Sequence, residues 1–126
     1  MHYSEITTVE QALAQKGLTL EMVAAMHSHL PEEYRASRAR SFALDVTEDV
    51  LNQETPIDWS NTSQRKWRHW WNIETGSSSV GLSLDDCAYD YSSAVVGARR
   101  SFASEEIAQH AAEHFRPEYE KEFFEK

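Results

Sequence analysis

Residues 65–73 read Arg65-Lys66-Trp67-Arg68-His69-Trp70-Trp71-Asn72-Ile73, and the period of this stretch decides the fold class. Trp67, His69, Trp71 and Ile73 alternate with Arg68, Trp70 and Asn72, the period of two that a strand with one face on a core requires. The chain before it has a different period. Thr7, with Glu10 three residues on, predicts a capping box. Val9, Ala12 and Leu13 follow as an apolar stripe, and Gly17 is placed to end that helix in a left-handed conformation. A second short helix is expected after Thr19, with Leu20, Val23, Ala24 and Met26 at helical spacing, stopping before Pro31. Pro31 suits the first turn of a third helix, and Glu32 and Glu33 favour its positive end. Tyr34, Phe42, Val46 and Val50, widened by Ala39, Ala43, Leu44 and Leu51, predict about five turns ending near Gln53.

Beyond the aromatic stretch the period of two recurs. Residues 55–63 carry turn chemistry, and Asp58 and Trp59 are expected as a helix exit tucked under the sheet. Gly76 and the serines after it make a turn. Val80, Leu82 and Leu84 alternate as a second strand, a polar loop runs through Asp85, Asp86 and Asp90, and residues 94–102 read as a third strand. Ser104 is placed to cap a last helix with Glu105 and Glu106 in its first turn. Ile107, Ala108, Ala111, Ala112 and Phe115 form its apolar face, and Pro117 predicts a kink before Tyr119 and Phe123. The expected fold class is α+β: N-terminal helices, two short and one long, then a three-stranded antiparallel meander and a C-terminal helix, as a single domain over residues 1–126. There is no repeat, linker or low-complexity segment.

Composition narrows the function classes. The 126 residues include four Trp, five Tyr and five Phe, rings that supply the burial disordered chains lack. The one cysteine, Cys87, cannot close an internal disulfide, so no oxidising compartment is implied. The opening residues have neither a basic region nor an apolar run, and no stretch approaches the ~20 apolar residues that cross a bilayer. A cytoplasmic protein with no membrane contact is expected. Net charge is −9, which opposes nucleic-acid phosphate at long range. The charges are unevenly spread, however. Bases gather at Arg35, Arg38 and Arg40, at Arg65, Lys66 and Arg68, and at Arg99 and Arg100, while residues 105–125 are strongly acidic.

Several segments carry a family likeness. ITTVEQALAQKG, LPEEYRASRARSFALDVTEDVLNQETPIDWSN, RKWRHWWNI and SSAVVGARRSFASEEIAQHAAEHFRPEYEKEF together resemble, nearly end to end, small proteins encoded by phages and prophages of Bacteroidetes-type bacteria. The last segment is the most recognisable. Arg100 stands where those proteins usually carry an apolar residue, and Pro117 interrupts their last helix. The resemblance implies a mobile-element origin, a bacterial host cytoplasm and this order of elements. It brings no established activity, cofactor or catalytic residue.

The residues themselves point to no catalytic apparatus. His110 and His114, four apart on a helix, could share a metal, but no further ligand stands at a typical spacing, and Glu113 is not where a zinc-protease motif needs it. His27 and His29 diverge on a helix. Asp85, Asp86 and Asp90 disfavour a thiolate at Cys87, and LDDCAYDYSS lacks the glycine and terminal glutamate of an EF-hand loop. Glycine-rich phosphate loops, Gly-x-Ser-x-Gly and Cys-x-x-Cys are missing. No catalytic residue, metal or cofactor is expected. The informative feature is Trp70, predicted to point away from the core beside Arg68 and Arg65. That composition suits a protein-binding hot spot and also a platform for single-stranded bases; the plain alternative is that all three tryptophans of the strand are core. The expected function is a non-catalytic phage or prophage accessory protein that binds a host or phage protein. Glu105, Glu106 and Glu113 would mask a basic site, in the sharpest version as a DNA-mimicking, anti-CRISPR-like inhibitor of a defence nuclease. A nucleic-acid-binding module using the Trp/Arg strand and a virion structural component are the alternatives.

Overall fold

The computed structural model describes residues 2–75, 80–90 and 100–124. A short 3-10 turn at Tyr3–Glu5 precedes helices α1 (Val9–Gln15), α2 (Leu20–Met26) and α3 (Glu32–Leu51). Strands β1 (Lys66–Thr75) and β2 (Val80–Asp90) follow, and α4 (Glu105–Phe124) closes the order. Helix and strand are therefore mixed, with the two short helices and one long one where the periodicity puts them.

Local chemistry sets most helix ends. The cap of α1 is Thr8, one residue later than Thr7. Its hydroxyl accepts from the Gln11 N–H at 3.2 Å, and the Gln11 side-chain carbonyl accepts from the N–H of Thr8 at 3.1 Å and of Thr7 at 2.8 Å. The shift leaves Glu10 exposed and buries Val9, Ala12 and Leu13. Gly17 ends this unit at φ 71°, a conformation that favours glycine. Thr19 caps α2, and the Ser104 hydroxyl accepts from the Ile107 N–H at 3.2 Å to cap α4.

α3 buries Ala43, Leu44, Val50 and Leu51, and with them the polar Thr47 and Glu48. Thr47 is satisfied within the helix, its hydroxyl donating to the Ala43 carbonyl at 2.7 Å. Tyr34, expected on the apolar stripe, is 51% exposed, because the first turns of α3 extend past the packed elements. In α4, Ile107, Ala108, Ala111, Ala112 and Phe115 are all buried as the pattern requires. The helix departs from helical geometry at Phe115 (φ −119°, ψ 16°). Pro117 has no N–H to continue the ladder, and its ring crowds the carbonyl four residues earlier.

β1 and β2 form an antiparallel ribbon. Trp67 pairs with Tyr89, His69 with Cys87, Trp71 with Leu84 and Ile73 with Leu82. The expected loop through Asp85, Asp86 and Asp90 is instead strand. The register shifts between Trp70, opposite Asp86, and Trp71, opposite Leu84, so Asp85 is the extra residue of a β-bulge. The sequence shows the same step as a change of phase, from positions 80, 82 and 84 to positions 87 and 89.

Among the described residues the sheet has two strands, and the expected meander is corrected. Residues 94–99 of the predicted third strand lie outside the described residues. Phe102, at its end, pairs with Trp67 of β1, each N–H donating to the other's carbonyl at 2.8 Å. A meander would lay that segment beside β2. The cap of α4 comes two residues after Phe102, and α4 packs against both strands, so it is the Trp67–Phe102 bridge that sets the entry on the β1 side. Ile6, Leu13, Leu44, Leu51, Phe102 and Phe115 are fully buried in one core joining helices and ribbon. No helix among the described residues is long and apolar enough to cross a membrane.

Candidate functional site

Of the residues that the aromatic stretch singled out, Arg68 and Trp70 share the outward phase of β1, whereas Arg65, over the ring of Tyr89 opposite Trp67, lies on the α4 side. Trp70 is 65% exposed, while Trp67 and Trp71 are half-buried and turn toward α4. Of the three tryptophans, then, two pack on the core and one stands in solvent. Arg65 is exposed with its guanidinium 4.7 Å from the centre of the Tyr89 ring, close enough for a cation–π contact. Arg68 is half-buried. Lys66 does not join them. Although it shares the phase of Arg68 and Trp70, the loop before β1 covers it; its ammonium donates to the Asn61 carbonyl at 2.6 Å and is fully buried. The expected basic patch thus shrinks by a third.

Glu105 and Glu106 lie in the first turn of α4 and, with Ser63, Arg65 and Trp67, line one shallow cleft. The carboxylates and the hairpin base meet there, although in sequence they belonged to separate surfaces. Glu106 and Glu113 are both exposed, and seven residues apart they share a helix face.

A buried polar arrangement between α3 and α4 was not singled out by sequence pattern. Glu48 of α3 is 5% exposed. One of its oxygens accepts from the Arg100 guanidinium at 3.0 Å and the other from the Tyr119 hydroxyl at 2.7 Å. Arg100 also donates to Asp45 at 3.0 Å, to the Ser41 hydroxyl at 3.0 Å and to Glu122 at 3.3 Å. Burial pushes the Glu48 carboxyl up to about 7, outweighing Arg100 and the Tyr119 hydrogen bond that pull it down. Next to it, the Asn52 side chain donates to the Ser101 carbonyl at 3.0 Å and accepts from the Ala103 N–H at 2.9 Å. These contacts tie α3 to the segment entering α4. The available signal was the pairing of Arg100, an odd base before a helix, with carboxylates at 45 and 48 on one helix face. Their separation of more than fifty residues hid it.

His69 and Cys87 face each other in register on the inner side of the ribbon. The His69 Nε2–H donates to the Ala108 carbonyl at 2.6 Å among the rings of Trp71, Phe102 and Tyr119. Burial holds its pKa down at about 4, against the smaller upward pull of that hydrogen bond, so the imidazole is neutral. Cys87 is 7% exposed. His110 is not a solvated surface histidine. Its Nε2–H donates to the Ile6 carbonyl at 2.6 Å and its ring meets Tyr3 edge-on at 5.2 Å, which pins the N-terminal segment to α4. His114 stacks on it at 4.4 Å. Among the described residues no three metal-binding side chains come together.

No family model, no curated protein and no solved structure matches this chain.

Proposed function

We propose that this chain is a non-catalytic accessory protein of phage or prophage origin that acts by binding a protein partner through the outer face of β1 and the first turns of α4. The exposure of Trp70 on a sheet face carries this reading. Tryptophan and arginine are the side chains that most often anchor protein interfaces. Trp70 stands about 16 Å along the strand from Arg65 and on the opposite phase, Arg65 being turned to the α4 side, so an interface that uses both wraps the end of the strand. The cleft of Arg65, Glu105 and Glu106 then forms its polar edge, with Glu113 farther along the helix. A net charge of −9 favours a partner with a basic surface, such as the nucleic-acid-binding face of a defence nuclease.

The rival reading as a single-strand platform has Trp70 and Arg65 in its favour and the burial of Lys66 against it. Affinity capture from host lysate tests both. The wild-type chain should retain a basic protein; Trp70→Ala should weaken that capture, and so should the combined Glu105→Lys, Glu106→Lys and Glu113→Lys. Capture unchanged by both variants would sink the proposed surface. Saturable, salt-sensitive binding of a short single-stranded oligonucleotide, lost in Trp70→Ala, would put the rival in its place.

A further inference from the structure

The N-terminal segment is held to α4 through a row of rings. Ile6 is fully buried, and its carbonyl accepts from the His110 Nε2–H at 2.6 Å. Tyr3 meets the same imidazole edge-on at 5.2 Å. The His2 ring lies 4.4 Å from Tyr3 on one side, and the His114 ring lies 4.4 Å from His110 on the other. Three imidazoles therefore share one seam between the turn at Tyr3–Glu5 and α4. Histidine is the side chain whose charge changes between about pH 5 and 8. His110 commits Nε2–H to Ile6, which leaves Nδ1 as the atom that takes up a proton.

We infer that this histidine seam is a pH-sensitive clasp, which holds residues 2–6 against α4 near neutral pH and releases them in mild acid. Protonation puts a cation on the half-buried His110 beside two imidazoles that gain charge over the same range, so like charges meet along the seam. The surrounding groups are Tyr3 and Glu5 of the turn, Glu106, Glu113 and Glu118 of α4, and Glu10 of α1, which lines a groove with Glu118. Of the charges, those of His114, Glu113 and His2 act on His110 directly. Burial holds the His110 pKa below its ordinary 6.5, with His114 and His2 acting in the same direction, against the upward pull of the Ile6 hydrogen bond and Glu113. The carboxylates thus offset the repulsion only in part. With a depressed histidine pKa, the contact is favoured above about pH 6.5 and is lost as pH falls through the lower folded value. The cap of α1 is built from Thr8 and Gln11, so the segment can leave without unwinding the helix behind it.

Amide exchange of the whole chain, expressed as protection factors, tests the clasp. The Ile6 N–H donates to the Tyr3 carbonyl at 3.0 Å, so its protection reports the closed turn. Leu44, fully buried in α3, serves as the reference for global opening. The ratio of Ile6 to Leu44 protection should fall about tenfold or more between about pH 7.5 and about pH 5. His110→Gln keeps a side-chain N–H for Ile6 and takes no proton, so its ratio should vary little with pH. His114→Gln, at an exposed position, leaves the Ile6 hydrogen bond in place and removes one like charge. Its ratio should fall less steeply, and the His110 ring titration, followed by its NMR resonances, should move up toward 6.5. A histidine that merely packs would give none of these pH slopes. A wild-type ratio independent of pH, a fall of the same size in His110→Gln, or a His110 titration unmoved in His114→Gln would overturn the inference.

Discussion

Glu48, buried, and His69, half-buried, are titratable groups displaced in opposite directions, and their effects on stability oppose each other. Glu48 is raised from 4.5 to about 7 in the folded chain. The stability it contributes is fully present below about pH 4.5 and is lost as pH rises through 7. His69 is lowered from 6.5 to about 4. The stability it contributes is present above about pH 6.5 and is lost as pH falls through 4. Between roughly pH 6.5 and 4.5 one gain offsets the other. Relative to wild type, Glu48→Gln should lose stability progressively as pH is lowered through that window. His69→Gln, which keeps a donor for Ala108, should instead gain. Urea midpoints for the three proteins at several pH values read this out; parallel curves would show that neither group is displaced as described.

At the level of elements, the ribbon's two faces have different energetic weight. Trp71 meets His69 edge-on at 4.9 Å and Tyr119 at a tilt at 5.8 Å, so it links β1 to α4. Trp71→Ala should cost about 3 kcal/mol, the low end of the usual range because the ring is only half-buried. Trp70→Ala should change stability by less than about 0.5 kcal/mol. Denaturant unfolding of both variants checks the assignment, and equal costs would mean that the faces have been assigned the wrong way round. The neutral effect of Trp70→Ala is also what makes that variant a clean probe of binding. The bulge at Asp85 sets Cys87 opposite His69 and Leu84 opposite Trp71, a register that a regular ribbon of this sequence could not keep.

For the whole molecule, the core joins the N-terminal segment, α3, the ribbon and α4. His110, half of the one helical histidine pair with metal-ligand spacing, uses its Nε2–H on the Ile6 carbonyl. A chelator should therefore leave the melting temperature unchanged, while His110→Ala should lower it and speed amide exchange in the first residues. Chelator sensitivity, or stoichiometric metal in the purified protein, would contradict this arrangement.

The helices and their order, the buried face of α4 and the kink before Tyr119 were legible in the sequence, while the alternation gave Trp70 its outward phase and left its exposure open. Each depends on neighbours within a turn or two: an apolar period, a capping hydroxyl, a proline's missing N–H. The net charge of −9 is likewise a sum over residues and needs no coordinates. The side of β1 taken by Phe102, the covering of Lys66, the meeting of Arg65 with Glu105 and Glu106, and the Glu48–Arg100–Tyr119 junction were decided only in the folded chain. They join residues far apart in sequence, and periodicity carries no information about which distant partner a polar group will find. The bulge lies between these cases. Its change of phase is written in residues 80–89, but three aspartates make the step look like a loop until the pairing of β2 with β1 shows it as strand.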